Sequence, residues 1–238
     1  MASGRVAEIL SALWAAAPDG SALPAGLVRD CLRAVPVTGA GLALMTERGP
    51  AGTVAATDGA AVELEDLQFT LGEGPCVDAS QTGRPVLQPD LAATGPGRWP
   101  AFAGGALAAG VASVFALPLR VGAIRVGVLD LYRATPGSLT AEELREALAF
   151  ADAATLLLLY LQTRAPADEF SAYSLPLPGD RAEVHQATGV VSVQAGVGLA
   201  EAFVLLRARA YVQQRPVGDV ARDVLADRTE FTDRPEDR

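Results

Sequence analysis

The chain has 238 residues, half of them hydrophobic, and a formal net charge of −9. This length fits one large domain or two ordinary ones. The acidic balance predicts that the molecule as a whole repels polyanions. All 19 basic residues are Arg, which together with the abundant Ala, Gly and Pro indicates a bias of the genome rather than a function.

The chain shows no sign of a membrane segment or of a metal site. The longest apolar run, residues 153–161, is shorter than the roughly 20 residues that a membrane-spanning helix needs, and the N-terminus lacks the pattern of a secretion signal. Cys31 and Cys76 match no metal-binding spacing. One disulfide is an alternative, but reduced thiols are favoured, so we expect a cytoplasmic protein that binds no metal.

The first domain is predicted over residues 1–164, as helices and strands separated by Gly and Pro. Its elements are, in order, helices 5–17 and 23–35, strands 38–46 and 52–57, helix 61–69, a tight loop at 71–75, helix 76–81, strand 84–88, helix 99–109, hairpin strands 111–119 and 124–132, and the exit helix 139–163. This order predicts an α+β domain with an antiparallel sheet flanked by helices.

Three strings in this domain carry a family resemblance: Leu71-Gly-Glu-Gly-Pro-Cys-Val-Asp78, Arg84-Pro-Val86 and Gly127-Val-Leu-Asp-Leu-Tyr132. With them, residues 23–161 resemble the GAF family of small-molecule sensor domains, in the form found in actinobacterial regulators. The resemblance implies a ligand held between the sheet and the helical loops on one face. No motif identifies the ligand or a cofactor, which stay unknown, and some GAF domains bind no ligand.

Six residues are the candidates to line that pocket: Cys76, Asp78, Asp90, Trp99, Phe102 and Phe115. Apolar side chains default to the interior, so a purely structural role is favoured for Phe102 and Phe115. Cys76 stands at a helix N-terminus, where a lowered pKa could make it a redox sensor. A small buried apolar residue is the favoured interpretation.

The exit helix is apolar nearly all round towards its end, so it needs cover on more than one face. We expect the N-terminal helix, with Ile9, Leu10, Leu13 and Trp14, to cover one side. A second subunit would cover the other, which predicts a homodimer through a helical bundle.

Residues 165–180 contain three prolines and predict a linker, and residues 181–233 predict a small three-helix bundle. Its helices are expected at 181–195, at 199–214 and from Pro216 onward. Their inner stripes of small apolar residues are Val184, Ala187, Thr188, Val191 and Ala195, then Leu199, Ala202, Phe203, Leu206 and Ala210, then Val217, Val220, Ala221 and Val224.

Residues 181–231 resemble the ANTAR family of RNA-binding antitermination domains. The matching strings are Val184-His-Gln-Ala-Thr-Gly189, Ala202-Phe-Val-Leu-Leu-Arg207, Ala208-Arg-Ala210 and Val220-Ala-Arg-Asp-Val224. The resemblance implies binding of paired hairpin loops in a nascent transcript, which prevents a terminator from forming.

The outward faces of the three helices supply the candidate RNA-binding residues, which are His185, Gly189, Ser192, Arg207, Tyr211, Gln214, Arg215 and Arg222. An Arg beside an aromatic ring suits bases splayed out of a loop. Structural roles are the alternative, for example an ion pair between Arg207 and Asp223. Eight Arg and ten acidic residues follow position 179, a net charge of −2, whereas nucleic-acid binders are normally basic.

Two functions therefore stay open. The leading hypothesis is a signal-responsive, RNA-binding antitermination regulator. The alternative is a small-molecule sensor whose C-terminal bundle binds proteins. An enzyme is not expected, because the chain has one His, no Lys, and none of the P-loop, nucleophile-elbow or kinase motifs.

Overall fold

The computed structural model describes residues 2–18, 20, 22–46, 49–164, 179–213 and 215–231. The chain divides into two compact units, Met1–Pro176 and Leu177–Arg238. Residues 165–178 of the predicted linker lie outside the described residues.

The N-terminal unit is an antiparallel sheet with helices on both faces, as the sequence predicts. Its helices are α1 (Ala2–Ala16), α2 (Leu23–Ala34), α3 (Gly59–Leu71), α4 (Pro75–Thr82), α5 (Leu91–Arg98), α6 (Pro100–Ala108) and α7 (Ala141–Arg164). Its strands are β1 (Gly39–Thr46), β2 (Gly49–Ala56), β3 (Val86–Gln88), β4 (Ser113–Val121) and β5 (Ile124–Arg133). The strand order is β2-β1-β5-β4-β3, and all neighbours are antiparallel.

The two faces of the sheet bury alternate residues of the same strands. Val114 and Ala116 of β4 belong to one core cluster with residues of α3, α4, α5 and α6. Helices α2 and α7 pack on the sheet as well. Leu158 of α7 lies against Gly127 of β5. The next residue, Val128, belongs to the core cluster with α3–α6 and points to the other face of the sheet. Helix α7 therefore covers the face opposite to α3–α6.

Helix α5 was not predicted from the sequence. Gly95, Pro96 and Gly97 lie within it, and such a run favours a loop when it is read locally. The helix forms because the Asp90 side chain accepts a hydrogen bond from the Ala93 N–H at 3.0 Å. Its residue Leu91 is fully buried in the core.

Helix α1 covers the exit helix α7, as predicted. The rings of Trp14 and Tyr160 meet edge to face with centroids 4.9 Å apart, and Arg5 Nε donates to Glu146 at 2.9 Å. Leu148 and Leu156 of α7 remain exposed. The predicted dimer would cover side chains of this kind.

The C-terminal unit consists, within its described part, of α8 (Gly179–Ala195), α9 (Leu199–Gln213) and α10 (Val217–Leu225). Helix α10 packs against both α8 and α9. The predicted inner stripes are buried, except that Phe203 and Ala195 are half-buried and Leu199 is 49% exposed. The placement of Leu199 in the core was wrong, because it is the first residue of α9 and lies beyond the contact with the other helices.

Among the described residues, no single helix is both long and apolar enough to cross a membrane. The pair Ala182–Ala195 and Leu199–Gln213 meets that length and composition only when taken together, across a 104° bend.

Candidate sensory core and RNA-binding face

Three of the predicted pocket residues meet in the core between the sheet and α3–α6. Cys76, Trp99 and Phe102 belong to one apolar cluster, and none is more than 2% exposed. The rings of Trp99 and Phe102 pack edge to face with centroids 6.2 Å apart. These side chains lie between the helices and the sheet, where the resemblance placed a ligand.

The two predicted carboxylates have structural partners. Asp78 Oδ2 accepts hydrogen bonds from Arg98 Nε at 3.0 Å and from Trp99 Nε1 at 3.2 Å, which ties α4 to the junction of α5 and α6. Asp90 caps α5. Both carboxylates therefore hold helices in place.

Phe115 is separated from the other five predicted residues. Its neighbours Val114 and Ala116 point into the cluster of Trp99 and Phe102, so Phe115 points to the face covered by α7. There the Arg133 guanidinium lies over its ring, 5.7 Å from the centroid. Phe115 therefore belongs to the core layer on the α7 side of the sheet, whereas Phe102 lies on the other side.

A buried polar group that the sequence did not reveal lies in the first core. Asp130 is 1% exposed, and its Oδ2 accepts a hydrogen bond from Gln68 Nε2 at 3.3 Å. Burial raises the pKa of the Asp130 carboxyl well above its usual range, and the charge and hydrogen bond of Glu65 raise it further. Hydrogen bonds with Gln68 and Cys76 act in the opposite direction. The sequence signal that could have revealed this group was the acidic residue Asp130 within the otherwise apolar string of β5.

In the C-terminal unit, the predicted residues of α8 lie half-buried. Ser192 Oγ donates to the Val197 carbonyl at 2.6 Å and closes the C-terminal end of the helix. A Cβ added at Gly189 would meet no heavy atom within 4 Å, so Gly189 keeps open space beside α8. His185 also lies half-buried on this helix.

On α9, the side chains of Arg207 and Tyr211 differ in exposure. Tyr211 is 63% exposed. Arg207 is half-buried, with its guanidinium 5.2 Å from the centroid of the Phe203 ring, and burial lowers its pKa. Gln214 lies outside the described residues.

The two remaining predicted cations belong to an ion-pair network around α10. Arg215 pairs with Asp223 at 2.8 Å, and Arg222 pairs with Asp219 and, at 3.2 Å, with Glu183. The pairing with Arg215 lowers the pKa of Asp223. Asp223 thus pairs with Arg215, and with Arg228 at 3.2 Å, rather than with Arg207 as the structural alternative expected.

Comparison with known families places both units. The GAF domain model matches residues 22–158, more than half of the chain. The chain belongs to the GAF domain family. The ANTAR domain model matches residues 179–225, which span α8, α9 and α10. Both domain types are regulatory rather than catalytic, and a comparison with curated protein sequences gives no match.

Three solved structures are similar to this chain, and the first of them, with a TM-score above 0.5, supports the GAF fold. The GAF domain of an Acinetobacter phosphoenolpyruvate-protein phosphotransferase is 12% identical, with a TM-score of 0.51 over 69% of this chain and 96% of that one. A GAF domain of a phosphoenolpyruvate-protein phosphotransferase from Coxiella burnetii is 12% identical over 68% and 95% of the two chains, with a TM-score of 0.49. A type II free methionine-R-sulfoxide reductase from Thermoplasma acidophilum is 15% identical over 66% and 95%, with a TM-score of 0.43.

The string at 71–78 in the GAF domain is explained by helix capping. Gly72 has a left-handed conformation, with φ of 65°, and ends α3. Glu73 Oε1 accepts hydrogen bonds from the backbone N–H groups of Ala101 and Phe102 at 2.7 and 2.8 Å, at the start of α6. Gly74 has φ of 133° and lies against the Gln68 side chain, which accepts a hydrogen bond from the Cys76 N–H. The string therefore joins three helices.

The ANTAR domain is extended by a short segment that closes over its helices. Phe231 is 9% exposed, and its N–H donates to Gln194 Oε1 at 3.1 Å. The guanidinium of Arg209 lies 4.5 Å from the centroid of the Phe231 ring. The sequence did not single out these contacts, because they join residues that are distant along the chain. Among the described residues, no three His, Cys, Asp or Glu side chains come together to hold a metal ion.

Proposed function

We propose that the protein is a signal-controlled regulator that binds paired hairpin loops of nascent transcripts and prevents transcription termination. The observation that carries the proposal is the ANTAR domain, together with the exposed ring of Tyr211 on its helix α9. A GAF domain that precedes it on the same chain supports control by a signal.

The exposed ring supplies the chemistry that loop recognition needs. Bases of hairpin loops can be splayed out and stacked on aromatic side chains or guanidinium planes. Tyr211 presents such a ring, and Arg207 lies one helical turn before it with its guanidinium stacked on Phe203. Gly189 leaves open space on α8, where another backbone could approach closely.

Charge alone supplies little affinity. The cations Arg215 and Arg222 are paired with carboxylates, so they attract phosphate weakly. We infer that affinity depends on stacking and on two sites acting together. A homodimer that presents two ANTAR domains to two adjacent hairpins would gain affinity through effective concentration. The exposed Leu148 and Leu156 of α7 are consistent with that assembly.

The test compares two neighbouring exposed residues of α9. Tyr211→Ala removes the ring, and Val212→Ala, at a position that is 79% exposed, removes apolar surface only. Stacking is worth about 1–3 kcal/mol per base, so we expect Tyr211→Ala to weaken binding of a two-hairpin RNA about tenfold or more. Fluorescence anisotropy with labelled RNA measures this, and an unstructured RNA of the same composition is the control.

Equal affinities of the two variants would refute the stacking role of Tyr211. The exposed Val193, Val204 and Val212 favour the alternative, a C-terminal bundle that binds a protein. If the full-length protein binds no two-hairpin RNA in any signalling state, this alternative becomes the better one.

A further inference from the structure

A cleft at one end of the GAF domain's sheet lies apart from the core described above. It forms where the C-terminal end of α4 meets the β4–β5 hairpin, and its volume is about 180 Å3. Four of its lining residues bear on what it could bind: Ser80, Gly83, Arg120 and Arg125. None of them belongs to the predicted ligand pocket.

Two arginines face each other at this cleft. Arg120 and Arg125 are direct partners in the register of β4 and β5. Like charges directly opposite each other destabilise an antiparallel pair. The protein carries this arrangement although acidic residues outnumber its arginines 28 to 19.

Neutral groups hold both guanidinium groups. Arg120 donates to the Gly122 carbonyl from Nε at 2.9 Å and from Nη2 at 2.7 Å, and to the Gly83 carbonyl at 3.2 Å. Arg125 donates to the Gln81 carbonyl at 3.5 Å. Within the part of the chain that the structure describes, neither forms an ion pair with a carboxylate. Both side chains are exposed to solvent, so the cleft presents two positive charges to an approaching ligand.

The wall of the cleft also contains a hydroxyl group. Ser80 lines the cleft, and the residue is 5% exposed. A serine hydroxyl can donate one hydrogen bond. Ser80 therefore adds a neutral donor to the two guanidinium groups.

Gly83 keeps Arg120 against the wall. It has φ of 66°, and a side chain at this position would collide with the Arg120 guanidinium. The position of Arg120 thus depends on a residue without a Cβ, and the guanidinium is held in place before any ligand arrives.

We propose that this cleft binds a small oxyanion, either phosphate or a small carboxylic acid, as the ligand of the GAF domain. Two guanidinium groups and a hydroxyl donor match the acceptor oxygens of such an anion. The anion would also neutralise the repulsion between Arg120 and Arg125. The volume is below the roughly 300 Å3 at which pockets for larger ligands begin. The proposal rests on the sensory role proposed above and gives it a ligand class.

The test is a titration of the full-length, 15N-labelled protein with inorganic phosphate and, separately, with succinate, at constant ionic strength set by sodium chloride. We expect amide shifts concentrated at residues 80–83 and 120–125. Arg125→Gln should weaken binding about tenfold, because it removes one of the two charges. The one described side-chain hydrogen bond of Arg125, to the Gln81 carbonyl, is 3.5 Å long. We therefore expect the fold to persist in Arg125→Gln, and circular dichroism checks this. Arg29→Gln removes an equal charge at an exposed position of α2 and should leave the affinity for the anions unchanged.

A second variant tests the hydroxyl. Ser80→Ala should weaken binding several-fold without loss of the fold. The response to phosphate against succinate identifies which oxyanion is preferred. The proposal is overturned if neither anion produces amide shifts localised at these residues. It is also overturned if Arg125→Gln and Arg29→Gln lose equal affinity for the anion.

RNA supplies phosphate groups too, so it forms a separate arm of the experiment. If two-hairpin RNA shifts the amides of 80–83 and 120–125 while both small anions do not, the cleft belongs to an RNA surface and the proposal is wrong. RNA affinity of Arg125→Gln is measured without added oxyanion. RNA binding and oxyanion binding are thus measured separately, so loss of one is distinguished from loss of the other.

Discussion

The buried carboxyl of Asp130 makes the stability of the GAF domain depend on pH in a direction opposite to that of most carboxylates. Its pKa is raised by burial and by the neighbouring Glu65. We consider Asp130→Asn, which keeps the size and shape of the side chain, removes the titrating proton, and lets the introduced amide donate to Glu65.

The magnitude follows from proton linkage. An Asp in the unfolded chain titrates at about pH 3.9, whereas folded Asp130 keeps its proton to higher pH. Between these two values the folded protein holds one proton that the unfolded chain has released. The stabilisation is fully present below the unfolded pKa and is lost as pH rises through the folded pKa, at about 1.4 kcal/mol per pH unit.

Both Trp residues, Trp14 and Trp99, lie in the N-terminal unit, so tryptophan fluorescence reports the unfolding of the GAF domain alone. Urea unfolding is measured from about pH 5 to about pH 8. We expect the free energy of unfolding of the wild type to fall relative to that of Asp130→Asn by about 1.4 kcal/mol per pH unit until the folded pKa is passed. Asp152→Asn, at an exposed position of α7, is the control and should follow the wild type. Parallel curves for the wild type and Asp130→Asn would show that Asp130 titrates normally and would refute the reasoning.

Two further predictions concern packing and capping. Glu73→Ala leaves two N–H groups at the start of α6 without their acceptor, so it should lower the free energy of unfolding by about 1–2 kcal/mol, while Glu73→Gln keeps an acceptor oxygen and should lose less. Equal losses in urea unfolding followed by tryptophan fluorescence would contradict the capping role. Leu206→Ala, in the core of the ANTAR domain, should cost about 2–5 kcal/mol, whereas Val204→Ala, at a position that is 58% exposed, should cost little. Thermal unfolding followed by circular dichroism measures both, and a stable Leu206→Ala protein would contradict the burial of α9.

Local patterns predicted most elements of the fold. Apolar residues at helical spacing predicted the inner faces of α8, α9 and α10, because the period of a helix repeats within a few residues. Helix α5 was missed since its glycines and proline favour a loop, and a cap together with burial of Leu91 outweighed them. Leu199 fitted the stripe of α9 but lies at the end of the helix, where no neighbour covers it.

The candidate sites depended much more on tertiary contacts. Tyr211 was expected to lie outward and does, yet the sequence could not show that Arg215 and Arg222 would be paired with carboxylates. Such pairs join residues of different helices, so they are decided by how the helices pack.

By itself the sequence determined the class of the fold, the order of its elements apart from α5, and the resemblance to two domain families, because local periodicity and short strings specify these. The tertiary structure alone decided that Phe115 faces α7, that Glu65 meets Asp130 across the core, and that Arg120 and Arg125 share a cleft. Burial, charge and pKa depend on neighbours brought together by packing, and distance along the chain does not specify them.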